Sequence, residues 1–149
     1  KSLFSLLASV TIIFFVFKNL KLNPYQYTWM NSFSKFYNIN KNFEVDYWGI
    51  SNKNLYQSIN KHSIQNNLNS DICVYGDLYS SAFLENKKFN CFKAYSELDA
   101  ANFRPYYVVK NVRNFKRSDP KNCEMITMEN YYYPFGNQKI NAGSAWYCD

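Results

Sequence analysis

The chain has 149 residues, 47% of them hydrophobic and 20% aromatic, and carries a formal net charge of +6. That length fits one domain, which removes roughly 70% of the surface its unfolded form exposes, and leaves no room for a second. The positive charge comes from dispersed lysines, with Lys87-Lys88 and Lys116-Arg117 the only adjacent basic pairs, so the basic stripe of a nucleic-acid binder is missing and no such partner is expected.

Leu3 to Phe17 is apolar except for Ser5, Ser9 and Thr11, and has no polar face. A helix of that kind must be buried in protein or in lipid. The run is shorter than the ~20 residues that cross a bilayer. Residues upstream of Lys1, or Asn19-Leu20-Lys21-Leu22 continuing the helix, would supply the rest, with Lys18 and Lys21 reaching a headgroup region. Residues 1–22 are therefore read as a membrane helix. The core helix of a soluble protein is one rival. A signal segment is the other, although Lys18-Asn19-Leu20-Lys21 follows where a small-x-small cleavage site belongs. Because the first residue is Lys1 and the apolar run begins at Leu3, the chain reads as the C-terminal part of a longer protein, or as a processed product.

Pro24 breaks the run, and Tyr25, Tyr27 and Trp29 are the amphipathic rings of a membrane–water boundary, so residues 23–149 are expected to form a globular, non-cytoplasmic domain. Tyr27 to Tyr37 has the spacing of a short helix, followed by a polar loop over residues 38–42. Ser51 is the expected N-cap of a helix reaching about Asn66, with Leu55, Ile59 and either Ser63 or His62 facing inward. Asp71 to Gly76 reads as a short buried strand, Leu78 to Asn86 as a helix, Phe89 to Tyr95 as a second strand and Tyr106 to Val112 as a third. This alternation predicts an α/β fold with β-α-β units in a small mixed sheet, α+β being the alternative.

Cys73, Cys91, Cys123 and Cys148 contain no C-x-x-C pair, and the chain has one histidine, His62, so no metal site is expected and disulfides are the better reading. Residues 123–129 and 140–148 predict a C-terminal hairpin about Tyr133-Pro134-Phe135-Gly136-Asn137. A turn centred between Phe135 and Gly136 sets Cys123 opposite Cys148, which favours that bridge and leaves Cys73 with Cys91 as the second pair. Cys73 can equally be a small buried hydrophobe. A bridge would place the domain on the oxidising side of a membrane.

Asn23-Pro24-Tyr25-Gln26-Tyr27, Phe43-Glu44-Val45-Asp46-Tyr47-Trp48-Gly49-Ile50-Ser51 and Tyr106-Tyr107-Val108-Val109-Lys110-Asn111-Val112-Arg113 carry a further signal. In that order they resemble the H-P-Y-Q-Y, F-E-x-D-Y-W-G-L-S and Y-Y-V-x-x-N-x-R segments that follow the last membrane helix of certain bacterial multi-spanning glycosyltransferases. Those enzymes use polyprenyl-phosphate sugars and are related to the dolichyl-phosphate-mannose mannosyltransferases; Asn23 stands where they usually have His. The resemblance implies a periplasmic or extracellular tail that packs on an upstream membrane core. Its implied partners are membrane lipid, a polyprenyl-phosphate sugar and a glycan acceptor. The family's catalytic carboxylate lies in an early loop outside this chain, so the resemblance places no catalytic residue and no cofactor here.

The candidate binding residues are Gln26, Asp46, Tyr47, Trp48, Asn111 and Arg113. Aromatic rings stack on sugar faces and a carboxylate accepts hydroxyl hydrogen bonds, but a structural corner explains Asp46-Tyr47-Trp48-Gly49 more simply: Trp48 fills the core, Gly49 turns the chain and Asp46 binds backbone N–H groups. Glu44 and Asp46 lack a pattern that demands hydrolase chemistry. Asn111 and Arg113 end the third strand, and carboxyl ends of parallel strands are the usual ligand position in open α/β sheets. Arg113 suits a phosphate, or else a surface ion pair. His62 is expected to be solvated or hydrogen-bonded. The rival from another class is a membrane-anchored binding or pilin-like subunit, though the acidic residue usual near the start of a pilin helix is missing.

Overall fold

The computed structural model describes residues 2–23, 49–69, 71–77, 89–100, 104–111, 118–132 and 138–149. The chain divides into two compact units, Lys1–Phe43 with Tyr131–Ile140, and Glu44–Asn130 with Asn141–Asp149.

In the first unit, helix α1 (Ser2–Leu22) continues through Asn19-Leu20-Lys21-Leu22 and supplies the length that the apolar run alone lacks. Its span Leu3–Leu22 is long and apolar enough to cross a membrane. Every large apolar side chain from Leu3 to Phe17 is at least 49% exposed, so within the structure the helix buries none of them. Ser9, Thr11 and Asn19 bond back onto the helix itself. Ser9 Oγ donates to Ser5 O at 3.0 Å, Thr11 Oγ1 to Leu7 O at 2.9 Å and Asn19 Nδ2 to Phe15 O at 3.0 Å. Such back-bonding leaves few polar atoms in need of water, as an apolar medium requires. Near the end of the helix Lys18 lies over the Phe14 ring and Lys21 over the Phe17 ring, 5.3 and 4.8 Å from the centroids.

The second unit holds helix α2 (Ile50–Gln65), strands β1 (Cys73–Gly76) and β2 (Cys91–Ala94), a 3-10 helix (Tyr95–Ala100) and strand β3 (Tyr106–Asn111). It also holds most of β4 (Glu124–Tyr132) and β5 (Lys139–Cys148). The five strands form one mixed sheet in the order β2-β1-β3-β5-β4. β1 runs parallel to β2 and β3, and β3 is antiparallel to β5. The fold is thus mixed α+β, with an N-terminal apolar helix and C-terminal strands.

Strand position follows burial. β3 is buried along its whole length, as its near-continuous apolar run requires of a central strand, whereas the edge strands β2 and β4 are largely open. α2 lays Leu55, Tyr56 and Ile59 on Val74, Tyr107, Val109 and Ala145 of the sheet. The opposite face gathers Tyr75, Tyr95, Tyr106, Val108 and Cys148. Ser63 is the inward residue in the last turn of α2, and His62 is half-buried beside it.

Ser51 is not the cap. The cap lies two residues earlier, at Gly49, which takes a left-handed conformation at φ 65° with no side-chain cap bond. A Cβ there would stand 2.8 Å from Asn52 Nδ2, so glycine serves both the turn and the space. At the other end Asn67, at φ 50°, reverses the chain, and Leu68 N–H donates to Ser63 O at 3.0 Å.

Both bridges are present, Cys73–Cys91 and Cys123–Cys148, with Cα atoms 4.5 and 4.2 Å apart. The second joins the residue before β4 to the last residue of β5, so the start of one strand lies beside the end of the other, as in a hairpin. The first links residues in direct register on the parallel pair β1 and β2. The proposed helices at residues 27–37 and 78–86 and the turn at residues 133–137 lie outside the described residues.

Candidate functional site

Two of the three resembling segments reach the same end of the sheet. Gly49-Ile50-Ser51, the end of the second segment, opens α2, and Asn111 ends β3 directly opposite Gly143 of β5. The link between them is short. Ser51 Oγ donates to Ala142 O across 3.2 Å, and a Cβ on Gly143 would meet Leu55 Cδ1 at 2.7 Å and both Lys110 O and Ser51 Oγ at 3.2 Å. The missing side chain at Gly143 is therefore what lets the first turn of α2 sit down on β3 and β5.

Asp77 follows β1 at this same carboxyl end. Tyr56 hydroxyl donates to its carbonyl at 3.1 Å, and Asn52 Nδ2 reaches its Oδ2 at 3.5 Å. Gly76 makes room for this contact, since a Cβ there would lie 2.5 Å from the Tyr56 hydroxyl. Burial pushes the Tyr56 phenol well above its ordinary pKa, with the Asp77 charge adding to the effect. Ser51, Asn52 and Asn111 are all buried, while Asp77 is half-buried. The corner thus offers amide, hydroxyl and carboxylate hydrogen-bonding groups at the place where open α/β sheets present ligands.

On the other face of β3, Lys110 is buried and its Nζ pairs with Asp119 Oδ1 at 2.6 Å. Along the α2 face, His62 Nδ1 lies 2.9 Å from the Tyr107 hydroxyl and the two rings meet edge to face, so His62 is hydrogen-bonded as expected. Burial raises the Tyr107 phenol, opposed by the Ser63 hydroxyl.

Arg104 has a structural task. Its Nη1 donates to Asn122 O at 3.0 Å and to Asp149 O, its Nη2 to Lys121 O at 3.1 Å, and its guanidinium lies over the Tyr106 ring. It therefore clamps the two chain segments that the Cys123–Cys148 bridge joins.

Of the sequence-predicted site residues, Asn111 is placed at the carboxyl-end corner and the four cysteines are in bridges. Gln26, Asp46, Tyr47, Trp48 and Arg113 lie outside the described residues. Asn52, Asp77, Lys110 and Arg104 escape sequence reasoning, because the partners that define each role lie on other elements. Among the described residues no group of three or more His, Cys, Asp or Glu side chains converges.

No family model, curated protein or solved structure matches the chain. The apolar helix suggests a membrane anchor, and the two bridges suggest an oxidising, extracytoplasmic compartment for the α+β unit.

Proposed function

We propose that this chain is the last membrane helix and periplasmic or extracellular tail of a multi-spanning glycosyltransferase that moves a sugar from a polyprenyl-phosphate carrier to a cell-envelope acceptor. In this reading the α+β unit braces the membrane core and shapes the entrance for acceptor or lipid-linked sugar, while the catalytic carboxylate lies elsewhere in the protein. The anchored, extracytoplasmic part of the proposal rests on α1, whose large apolar side chains from Leu3 to Phe17 are all exposed, together with two disulfides in the other unit. The enzymatic part rests on the three resembling segments. Its support from geometry is the juxtaposition of Ser51 and Asn111 through β5, which brings two of them to one ligand-competent end of the sheet.

The test uses membranes carrying the protein expressed from its whole gene and a radiolabelled sugar on a synthetic polyprenyl phosphate. Label should pass to envelope glycan, and Asn111→Ala should lower that transfer while the bridges still form. If membranes with correctly bridged, stable protein transfer nothing from lipid-linked sugars, the enzymatic reading fails, and an anchored binding subunit is the reading that survives.

A further inference from the structure

At the amino ends of the strands, away from Ser51 and Asn111, the α+β unit holds a half-open cavity of about 510 Å3. That volume is in the range of small-molecule sites. Its surface is mainly apolar, with Leu68, Ile72, Tyr75 and Pro105 presenting carbon. One wall is fixed covalently: Cys73 lines the cavity, and its bridge to Cys91 ties β2 to β1 two residues from Lys93. Residues 91 and 93 share a face of β2 because strand side chains alternate, so the bridge holds the Lys93 stem on the cavity side.

The charges at the rim are unequal in availability. Asp71 is already engaged, with Oδ2 accepting from Asn69 Nδ2 at 3.2 Å and Oδ1 from Asn90 Nδ2 at 3.5 Å. Arg104 adds positive charge, although both of its Nη atoms already donate to the carbonyls of Lys121, Asn122 and Asp149. Lys93 differs from both. It lines the cavity, and its ammonium has no hydrogen-bond or ion-pair partner among the described residues. A ligand filling this space therefore meets an apolar floor, one disengaged cation and a second positive charge behind it. Asp71 keeps its negative charge, since both of its partners are neutral amides, but the two cations outnumber it, so a cationic ligand would face net positive charge and a neutral one would leave the ammonium unused.

We infer that this cavity is a binding site for a small amphipathic organic anion, its apolar body resting on Leu68, Ile72, Tyr75 and Pro105 and its anionic group meeting Lys93. The inference does not depend on any sugar-transfer activity. The shared chemistry is an anionic head on an aromatic or branched apolar body, and the head is a carboxylate or a phosphate monoester.

The experiment uses the full chain in lipid nanodiscs with isoleucine methyl groups labelled for NMR, so that Ile72 reports from the cavity and Ile59 from the core under α2. Phenylacetate and phenyl phosphate are titrated beside neutral 2-phenylethanol and cationic phenethylammonium, with empty nanodiscs correcting for partition. Saturable shifts at Ile72, but not at Ile59, are expected with at least one of the two anions, and which of them binds identifies the head group. Lys93→Gln should weaken anion binding about tenfold, the scale of one charged hydrogen bond, and Lys93→Arg should retain it. Unchanged methyl spectra of the free variants show that the fold is intact. The inference is overturned if neither anion moves Ile72 saturably, if the alcohol or the ammonium compound binds as well as the anions, or if Lys93→Gln leaves anion affinity unchanged.

Discussion

Lys110 Nζ stands 2.6 Å from Asp119 Oδ1, yet the two ends of the pair occupy different surroundings: the lysine side chain is 7% exposed and the aspartate 64%. The asymmetry sets opposite expectations for the two partners. Asp119→Ala leaves a buried ammonium without its carboxylate and should cost about 1–3 kcal/mol. Lys110→Met removes the buried charge and leaves Asp119 to water, and should cost about 1 kcal/mol or less. Urea unfolding of both variants checks the order. Equal losses would show that the aspartate's solvent contact, not the lysine's burial, governs the pair.

Gly143 and Leu55 give the second prediction. A methyl at Gly143 would lie 2.7 Å from Leu55 Cδ1, with Lys110 O and Ser51 Oγ at 3.2 Å, so Gly143→Ala should destabilise by about 1–3 kcal/mol through overpacking. Shortening the fully buried Leu55 to Ala should alone cost about 2–5 kcal/mol. In the double variant the new methyl enters the space the leucine vacates. The summed single losses should therefore exceed the loss in the double variant, and strict additivity would place the clash elsewhere.

The bridges close loops of 18 and 25 residues of sequence separation. Chain entropy alone makes each worth about 3 kcal/mol against the unfolded state. Replacing Cys73 and Cys91 together by Ala, or Cys123 and Cys148 together, should lower the urea midpoint by comparable amounts. Mass mapping without reductant should show the two bridged peptides in protein taken from the cells that make it. Four free thiols in that sample would remove the reason for assigning an oxidising compartment.

How much of this was legible in the sequence depends on the range of the interaction. The all-round apolar run declared α1, and its extension to Leu22 was an open alternative that local pattern could pose but not decide. Tyr106 to Val112 announced itself as a strand by its near-continuous apolar run; its central place, with Tyr106–Asn111 buried throughout, comes from the sheet order. The register argument paired Cys123 with Cys148 because hairpin geometry is nearly local. The cap of α2 was misread: a serine before an apolar spacing is the usual signal, but here Ser51 is taken by Ala142 O, far away in sequence, and Gly49 turns the chain instead. Arg104 and Lys110 carry no local signal of their tasks. Only the tertiary placement of Asn122, Asp149 and Asp119 gives them their partners.

Tyr56 supports a prediction in pH. Burial, with the Asp77 charge in second place, raises its phenol above the ordinary 10.0, and burial raises Tyr107 in the same direction. The sign follows from proton counting. Above that ordinary value the unfolded chain loses these protons while the folded chain keeps them, so the unfolded state binds fewer protons and stability falls as pH rises. The contribution is present in full below the ordinary phenol value and is lost as pH climbs through it toward the raised one. Lysines that titrate alike in both states cancel. Tyr56→Phe should therefore lower stability near neutral pH by about 1 kcal/mol, because the hydrogen bond to Asp77 O is lost, while making the alkaline decline shallower than in the unaltered protein. Urea midpoints measured from neutral pH to beyond the phenol range separate the two effects. Parallel curves, shifted but with the same alkaline slope, would mean that Tyr56 ionises no less readily in the fold than in the unfolded chain.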